Sequence, residues 1–196
     1  MKPVVAMLAL LLAGPALAEK TEGVIPGVLF GPKLGIVSFP APSVGVEAKL
    51  GGWFGLSYDY GWVPELKVKE VRVGWTNWSA GAKVFPFHGS FFLGALYGQR
   101  SLRLRRVDDS TGVAIEARGR VTSSYLAPEL GWRFIGNTGF TMGIDLGWQF
   151  VTGHSAHLTV PLGYDAEKEK DVRDFTDRVG KAGIPVLGLL QLGWMF

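Results

Sequence analysis

The stretch Phe140-Thr141-Met142-Gly143-Ile144-Asp145-Leu146-Gly147-Trp148-Gln149-Phe150 sorts its residues by parity. Its even positions are Phe, Met, Ile, Leu, Trp and Phe; its odd positions are Thr, Gly, Asp, Gly and Gln. A repeat of two belongs to a strand, because a helix turning every 3.6 residues would mix the two sets. The same separation recurs outward from this stretch. Leu126, Pro128, Leu130, Trp132 and Phe134 oppose Tyr125, Ala127, Glu129, Gly131 and Arg133. Phe54, Leu56, Tyr58, Tyr60 and Trp62 oppose Gly55, Ser57, Asp59 and Gly61, and Val44, Val46, Ala48 and Leu50 oppose Gly45, Glu47 and Lys49. At the end of the chain Ile184, Val186, Gly188, Leu190, Leu192, Trp194 and Phe196 fall on one side. Eight such segments are read, at roughly 28–38, 43–50, 53–62, 70–85, 91–106, 114–135, 139–160 and 184–196. In the fourth, apolar positions switch from odd to even, and a β-bulge near Thr76-Asn77 is predicted to restore the phase.

Alternation does not say which face is inside; size does. Eight strands enclose a bore only wide enough to be filled by side chains. The Gly-rich faces with scattered charges suit that space, and the Phe, Trp, Leu and Ile faces suit the outside. A water-facing exterior is about 25–35% charged, whereas the whole chain is 19% charged. The outer face is therefore expected to meet lipid. The predicted fold is all-β: an eight-stranded antiparallel up-and-down transmembrane β-barrel over 28–196. Tight connections (Gly51-Gly52, Pro86 to Ser90, Gly136-Asn137-Thr138) are expected at the periplasmic end, and longer external loops after the third, fifth and seventh strands. Tyr58, Tyr60, Trp62, Trp132, Phe134, Phe140, Trp148, Phe150, Trp194 and Phe196 form the expected aromatic girdles. Ten residues from Phe140 to Phe150, tilted by about 45°, rise roughly 23 Å, close to the apolar band such barrels need.

The start of the chain reads as an export signal. Lys2 precedes an apolar run from Val4 to Leu12, Gly14-Pro15 breaks it, and Ala16-Leu17-Ala18 gives a small-x-small cleavage pattern. The apolar run is shorter than the ~20 residues a spanning helix needs. Residues 1–18 are expected to be removed, and 19–27 to form a short periplasmic segment before the barrel. Glycine stands at 28 of 196 residues, above the usual ~7% share. With no cysteine, neither a disulfide nor an N-terminal lipid-modified cysteine is possible. A net charge of +3 is too small to suggest nucleic acid.

Lys83-Val84-Phe85-Pro86-Phe87, running into Ser90-Phe91-Phe92-Leu93-Gly94-Ala95, and the terminal Leu192-Gly193-Trp194-Met195-Phe196 resemble segments of the small OmpA/OmpX-type outer-membrane barrels. The resemblance is one of pattern over 28–196. It implies the outer membrane of a Gram-negative bacterium, with outer-membrane lipid as surround and the barrel-assembly machinery as partner of the C-terminal strand. Gln191 stands where that terminal signal usually has Gly.

Glu47, Lys49, Asp59, Lys83, Arg100, Glu129, Arg133, Asp145 and Gln149 are the expected bore residues. Buried charge is costly unless paired, so they are read as a plug of salt bridges; a narrow ion path is the alternative. Small barrels that modify lipid A use a Ser and a His near the outer leaflet. Ser155 and His157, with Asp145 or Asp165 to orient the imidazole, are therefore candidates for an acyl hydrolase or transferase. By parity both face the bore or loop rather than the lipid, and Gly153-His154-Ser155-Ala156-His157 departs from the His-x-Ser-Asn pattern of the known deacylases. No metal or cofactor is expected. From Asp165 to Lys181 the chain is dense in charge, with Val172, Phe175 and Val179 at helical spacing. A short amphipathic helix is predicted there, capping the mouth, lying along the headgroups or docking an external partner. The leading functional reading is a structural or adhesive role through the external loops.

Overall fold

The computed structural model describes residues 23, 25–36, 42–68, 71–108, 115–159, 173, 174, 177, 178 and 180–196. Antiparallel strands carry almost all of them: β1 (Val28–Ile36), β2 (Pro42–Leu50), β3 (Phe54–Val68), β4 (Val71–Val84), β5 (Phe91–Asp108), β6 (Ile115–Ile135), β7 (Phe140–Trp148), β8 (Phe150–Thr159) and β9 (Pro185–Trp194). Each strand from β1 to β6 pairs with the next. β7 takes the lower part of β6 and β8 the upper part, so the two are one long strand parted at Gln149. β9 pairs β7, and β1 pairs β9. The sheet thus closes into a ring of eight strands. The Phe196 N–H donates to the Phe30 carbonyl at 2.9 Å, sealing the joint beside the last residue.

One end of the ring carries tight turns. Gly51 and Gly52 take φ of 57° and 74°, the left-handed region that a two-residue hairpin demands and that glycine enters without a Cβ clash. This turn end is opposite a loop end, where strands of unequal length project. Side chains alternate as the parity pattern predicts: Asp145 is 3% exposed, while Leu146 and Trp148 are 38% and 48% exposed. In the lower part of the ring the exposed face is apolar and the charged groups of the ionic network face in, whereas toward the loop end Arg103, Arg118 and Arg120 are exposed.

Three register shifts depart from the sequence reading. The expected bulge at Thr76-Asn77 is absent; β4 keeps one phase against β5 from Val71 to Val84. Trp75 instead shares the inner face with Asn77, under the guanidinium of Arg100 at 5.9 Å. The bulge lies in β3, between Val63 and Leu66. Pro64 has no N–H to give the ladder, and one extra residue there lets pairing resume at Leu66↔Val73 and run to Val68↔Val71. The long loop expected after the third strand is therefore mostly strand. A second shift, between Gly143/Asp145 and their partners, puts an extra residue into β9. Val186 consequently faces in, at 1% exposure, rather than sharing the outer face of Leu192, Trp194 and Phe196. The third shift, at Ser124/Tyr125 against β8, bears on the candidate site.

Candidate functional site

The interior is filled in tiers. At the turn end Leu29, Ile135 and Met195 form one apolar cluster, and Phe85 and Phe92 pack 5.7 Å apart, both fully buried. Above them lies an ionic tier. Lys33 reaches Asp59 at 2.8 Å and Glu47 at 3.4 Å. Arg133 reaches Glu47 at 3.1 Å and Asp145 at 3.4 Å and donates to the Gln191 side-chain oxygen at 2.6 Å; the Gln191 amide donates in turn to Asp145. Lys83 stands 3.5 to 3.9 Å from Glu47, Glu129 and Asp145 and 4.4 Å over the Phe92 ring. Its ammonium makes charge pairs rather than hydrogen bonds. Lys49 lies nearer the turns, over Phe85 and donating to the Gly89 carbonyl at 3.4 Å.

Leu96, Tyr125, Ala127 and Val186 cover this tier, with the Tyr125 hydroxyl donating to Asn77 at 2.9 Å. At the top Arg100 donates to Gln149 at 3.0 Å and to the Ala182 carbonyl, and Ser123 donates to the Gly180 carbonyl at 2.8 Å. The end of the last loop thus tucks into the mouth. Among the described residues, the space left beside Lys33, Lys83, Glu129, Asp145 and Gln191 is about 10 Å³, the scale of one water.

Parity missed several of these groups. Lys33 lies in a poorly alternating segment. Gln191, a departure from the resemblance's terminal pattern, is part of the ionic tier. The expectation that Phe side chains suit the outside is corrected at Phe85 and Phe92, which lie inside with Tyr125 and fit because glycines face them. A Cβ on Gly98 would come 2.6 Å from the Tyr125 hydroxyl oxygen, and one on Gly131 would come 2.8 Å from Phe92.

On the outer face Tyr58, Tyr60, Trp62, Phe140, Trp148, Phe150, Trp194 and Phe196 are exposed, and Trp132 and Phe134 half-buried. Trp78 bridges Tyr58 at 6.5 Å and Tyr97 at 6.0 Å; Phe140 meets Trp194 at 6.1 Å.

Ser155 and His157 do not face the bore. The β8 shift pairs them with Thr122 and Arg120, on the side of β6 opposite the buried Val121, Ser123 and Tyr125. An extra residue reverses every side chain beyond it, so both point outward and are exposed. Asp145 lies inside, bound to Arg133, so the three groups do not assemble. His154, turned inward instead, meets Asp177 of the last loop at 2.5 Å. Asp177 also accepts from Lys181 at 2.6 Å. These two donors hold the Asp177 carboxyl below its ordinary value. Among the described loop residues Arg173, Asp174, Asp177, Arg178, Gly180 and Lys181 have helical backbone; Asp165, Val172, Phe175 and Val179 lie outside the described residues. Among the described residues no group of three or more His, Cys, Asp or Glu is placed to hold a metal ion.

No protein-family model and no curated protein matches the chain. Solved structures similar to it include two from one organism. Acinetobacter baumannii CarO2 matches with a TM-score of 0.47 and 10% identity, over 86% of this chain and 97% of that one. Acinetobacter baumannii CarO matches with a TM-score of 0.41 and 15% identity, over 89% of this chain and 99% of that one. A likeness this distant fixes neither family nor activity.

Proposed function

We propose that this chain is an integral outer-membrane protein of a Gram-negative bacterium: an eight-stranded transmembrane β-barrel of the small OmpA/OmpX kind, closed to diffusion, acting through its external surface. One observation carries the reading. The closed sheet presents aromatic and aliphatic side chains around its whole circumference and keeps its ion pairs within. Soluble monomers rarely expose apolar patches above a few hundred Å², and each Leu, Phe or Val taken from water contributes about 1.5–3 kcal/mol. Lipid is the solvent that this distribution suits. A sheet closed on itself pairs its backbone internally, as a spanning structure must.

The filled interior favours a structural or adhesive role over conduction. Charge pairs occupy the middle of the bore, apolar tiers lie on both sides, and the last loop enters the mouth. An amphipathic helix through Val172, Phe175 and Val179 would cap that mouth.

The test is gel mobility of membrane-extracted protein before and after boiling, with flotation on phospholipid vesicles. A heat-dependent shift and co-flotation are expected. Identical mobility and failure to float would overturn the reading. Steady single-channel currents in planar bilayers would overturn the closed bore.

The outward turn of Ser155 and His157 favours a second reading, a lipid-modifying enzyme, since both stand on the lipid side. The position of Asp145 weighs against it. Unchanged lipid A acylation in a Ser155→Ala strain removes it.

A further inference from the structure

We infer that the mouth of the bore binds the C-terminal carboxylate of a short peptide, through Arg100, Ser123 and Asn77, in the place that the last loop's own backbone now fills. The inference rests on the reading above for the side from which the ligand arrives, the external one. The register lines up one inward row at the loop end: Asn77↔Arg100, Arg100↔Ser123 and Ser123↔His154, across β4, β5, β6 and β8. Three of the four hold the end of the loop. Arg100 donates to the Ala182 carbonyl, Ser123 donates to the Gly180 carbonyl at 2.8 Å, and His154 meets Asp177 at 2.5 Å.

The loop matches this row in shape but not in charge. Arg100 is 4% exposed, and among the described residues it faces no carboxylate. Its guanidinium serves two neutral oxygens, Gln149 Oε1 at 3.0 Å and the Ala182 carbonyl. Lys33, Lys83 and Arg133 in the tier below all meet acids. A buried charge without its opposite is costly. Donors are left over as well. The Asn77 side-chain nitrogen, in a residue 2% exposed, and the Trp75 indole nitrogen have no acceptor. The row thus holds a positive charge and N–H groups that the loop's carbonyls do not use. A carboxylate supplies the negative charge and a second oxygen together. Its hydrogen bonds to a guanidinium are about twice as strong as neutral ones.

The loop itself shows what kind of ligand fits. Gly180 and Ala182 give Ser123 and Arg100 two backbone carbonyls, one residue apart from each other's neighbour at Lys181. A peptide that ends at the second of these positions keeps the first carbonyl and puts a carboxylate in place of the other. The loop end is also displaceable. Lys181, Ala182 and Gly183 are exposed, and the Asp177–Lys181 pair lies at the surface. Loop and ligand compete for one row, so loosening the loop at Asp177, away from Arg100, favours the ligand.

The experiment titrates detergent-solubilised mature protein with N-acetylglycylglycine and with its C-terminal amide, following the heat of binding and amide exchange at 180–184. The acid should bind about tenfold more tightly than the amide, the difference between a charge-assisted and a neutral contact. It should also quicken exchange at 180–184 as the loop end leaves the row. Asp177→Asn should tighten binding of the acid about threefold, because the open mouth is then more populated. Arg100→Gln should bind acid and amide equally while keeping the heat-shifted band. A tie that only anchors the loop predicts none of these. Equal binding of acid and amide by the wild type, binding with unchanged exchange, or no tightening in Asp177→Asn overturns the inference. So does a preserved preference in Arg100→Gln. Acetate binding as tightly as the peptide acid overturns it too, since it marks a site for any anion. Should Arg100→Gln lose the heat-shifted band, the wild-type comparison and Asp177→Asn still decide. Binding is read in detergent, so failure to float on vesicles strikes the membrane reading, while floating without carboxylate preference strikes only this one.

Discussion

Arg133 and Arg120 stand on the same strand and carry the same group, yet they live in opposite surroundings. Arg133, at an odd position of β6 near the turn end, is buried against Glu47, Asp145 and Gln191. Arg120, at an even position near the loop end, is exposed beside Arg103, Ser101 and His157. Face alone separates ionic from apolar in the lower ring: charge inside, grease outside. In the upper wall the outer face becomes cationic without any change of phase on β5 or β6. On the proposed membrane reading a single strand meets two solvents in succession, and the residue at which its outer face changes marks the boundary between them.

The largest effect is expected where that contrast is strictest. Arg133→Ala leaves Glu47 and Asp145 with Lys83 as the one cation they share, and breaking a buried pair this way costs about 3–5 kcal/mol. Refolding into lipid vesicles, followed by the heat-shifted band across a urea series, should show that loss; a change within error would mean the ionic tier does not stabilise the ring. Next, Ile144→Arg on the lower outer face should cost about 2–4 kcal/mol, and Thr122→Arg on the upper outer face about 0–1, the depth dependence of a charge against lipid. Equal costs in the same assay would erase the boundary.

A third test concerns packing. Gly98→Ala forces a Cβ against the Trp78 backbone carbonyl as well as the Tyr125 hydroxyl and ring, and overfilling of this kind typically costs about 1–3 kcal/mol. Pairing it with Tyr125→Phe, which removes one of the two clashing oxygens, should recover a small part of the loss in a double-mutant cycle.

The smallest effect is local. The Asp177 carboxyl is held below its ordinary 3.8 by Lys181 and His154. A lowered value stabilises the docked loop above 3.8, and that contribution disappears as pH falls through the lowered value. Amide exchange near 177–181 should therefore quicken in strong acid before the ring's own amides respond. Protection that is flat through that window would show that the contact does not hold the loop.

Much of this was legible because a strand's parity is a covalent fact. Phe140 to Phe150 alternate in the chain as they do around the ring, and Glu47, Asp59, Lys83, Glu129, Arg133 and Asp145 could be placed inside on parity alone. Gly51-Gly52 announced its turn, since glycine tolerates the φ that turn needs. Where reading failed, one inserted residue was responsible. The shifts in β3, β8 and β9 reverse the phase beyond them, so Val186 went to the wrong side, and so did Ser155 and His157.

The amino-acid order therefore determined that strands form, that they are two-faced, and that one face is too apolar for water. Only the closed structure decided which partners meet across the bore, and which arginines stand opposite one another. Those outcomes depend on register, and register is set by pairing between segments far apart in the chain, where a single bulge outweighs any local pattern.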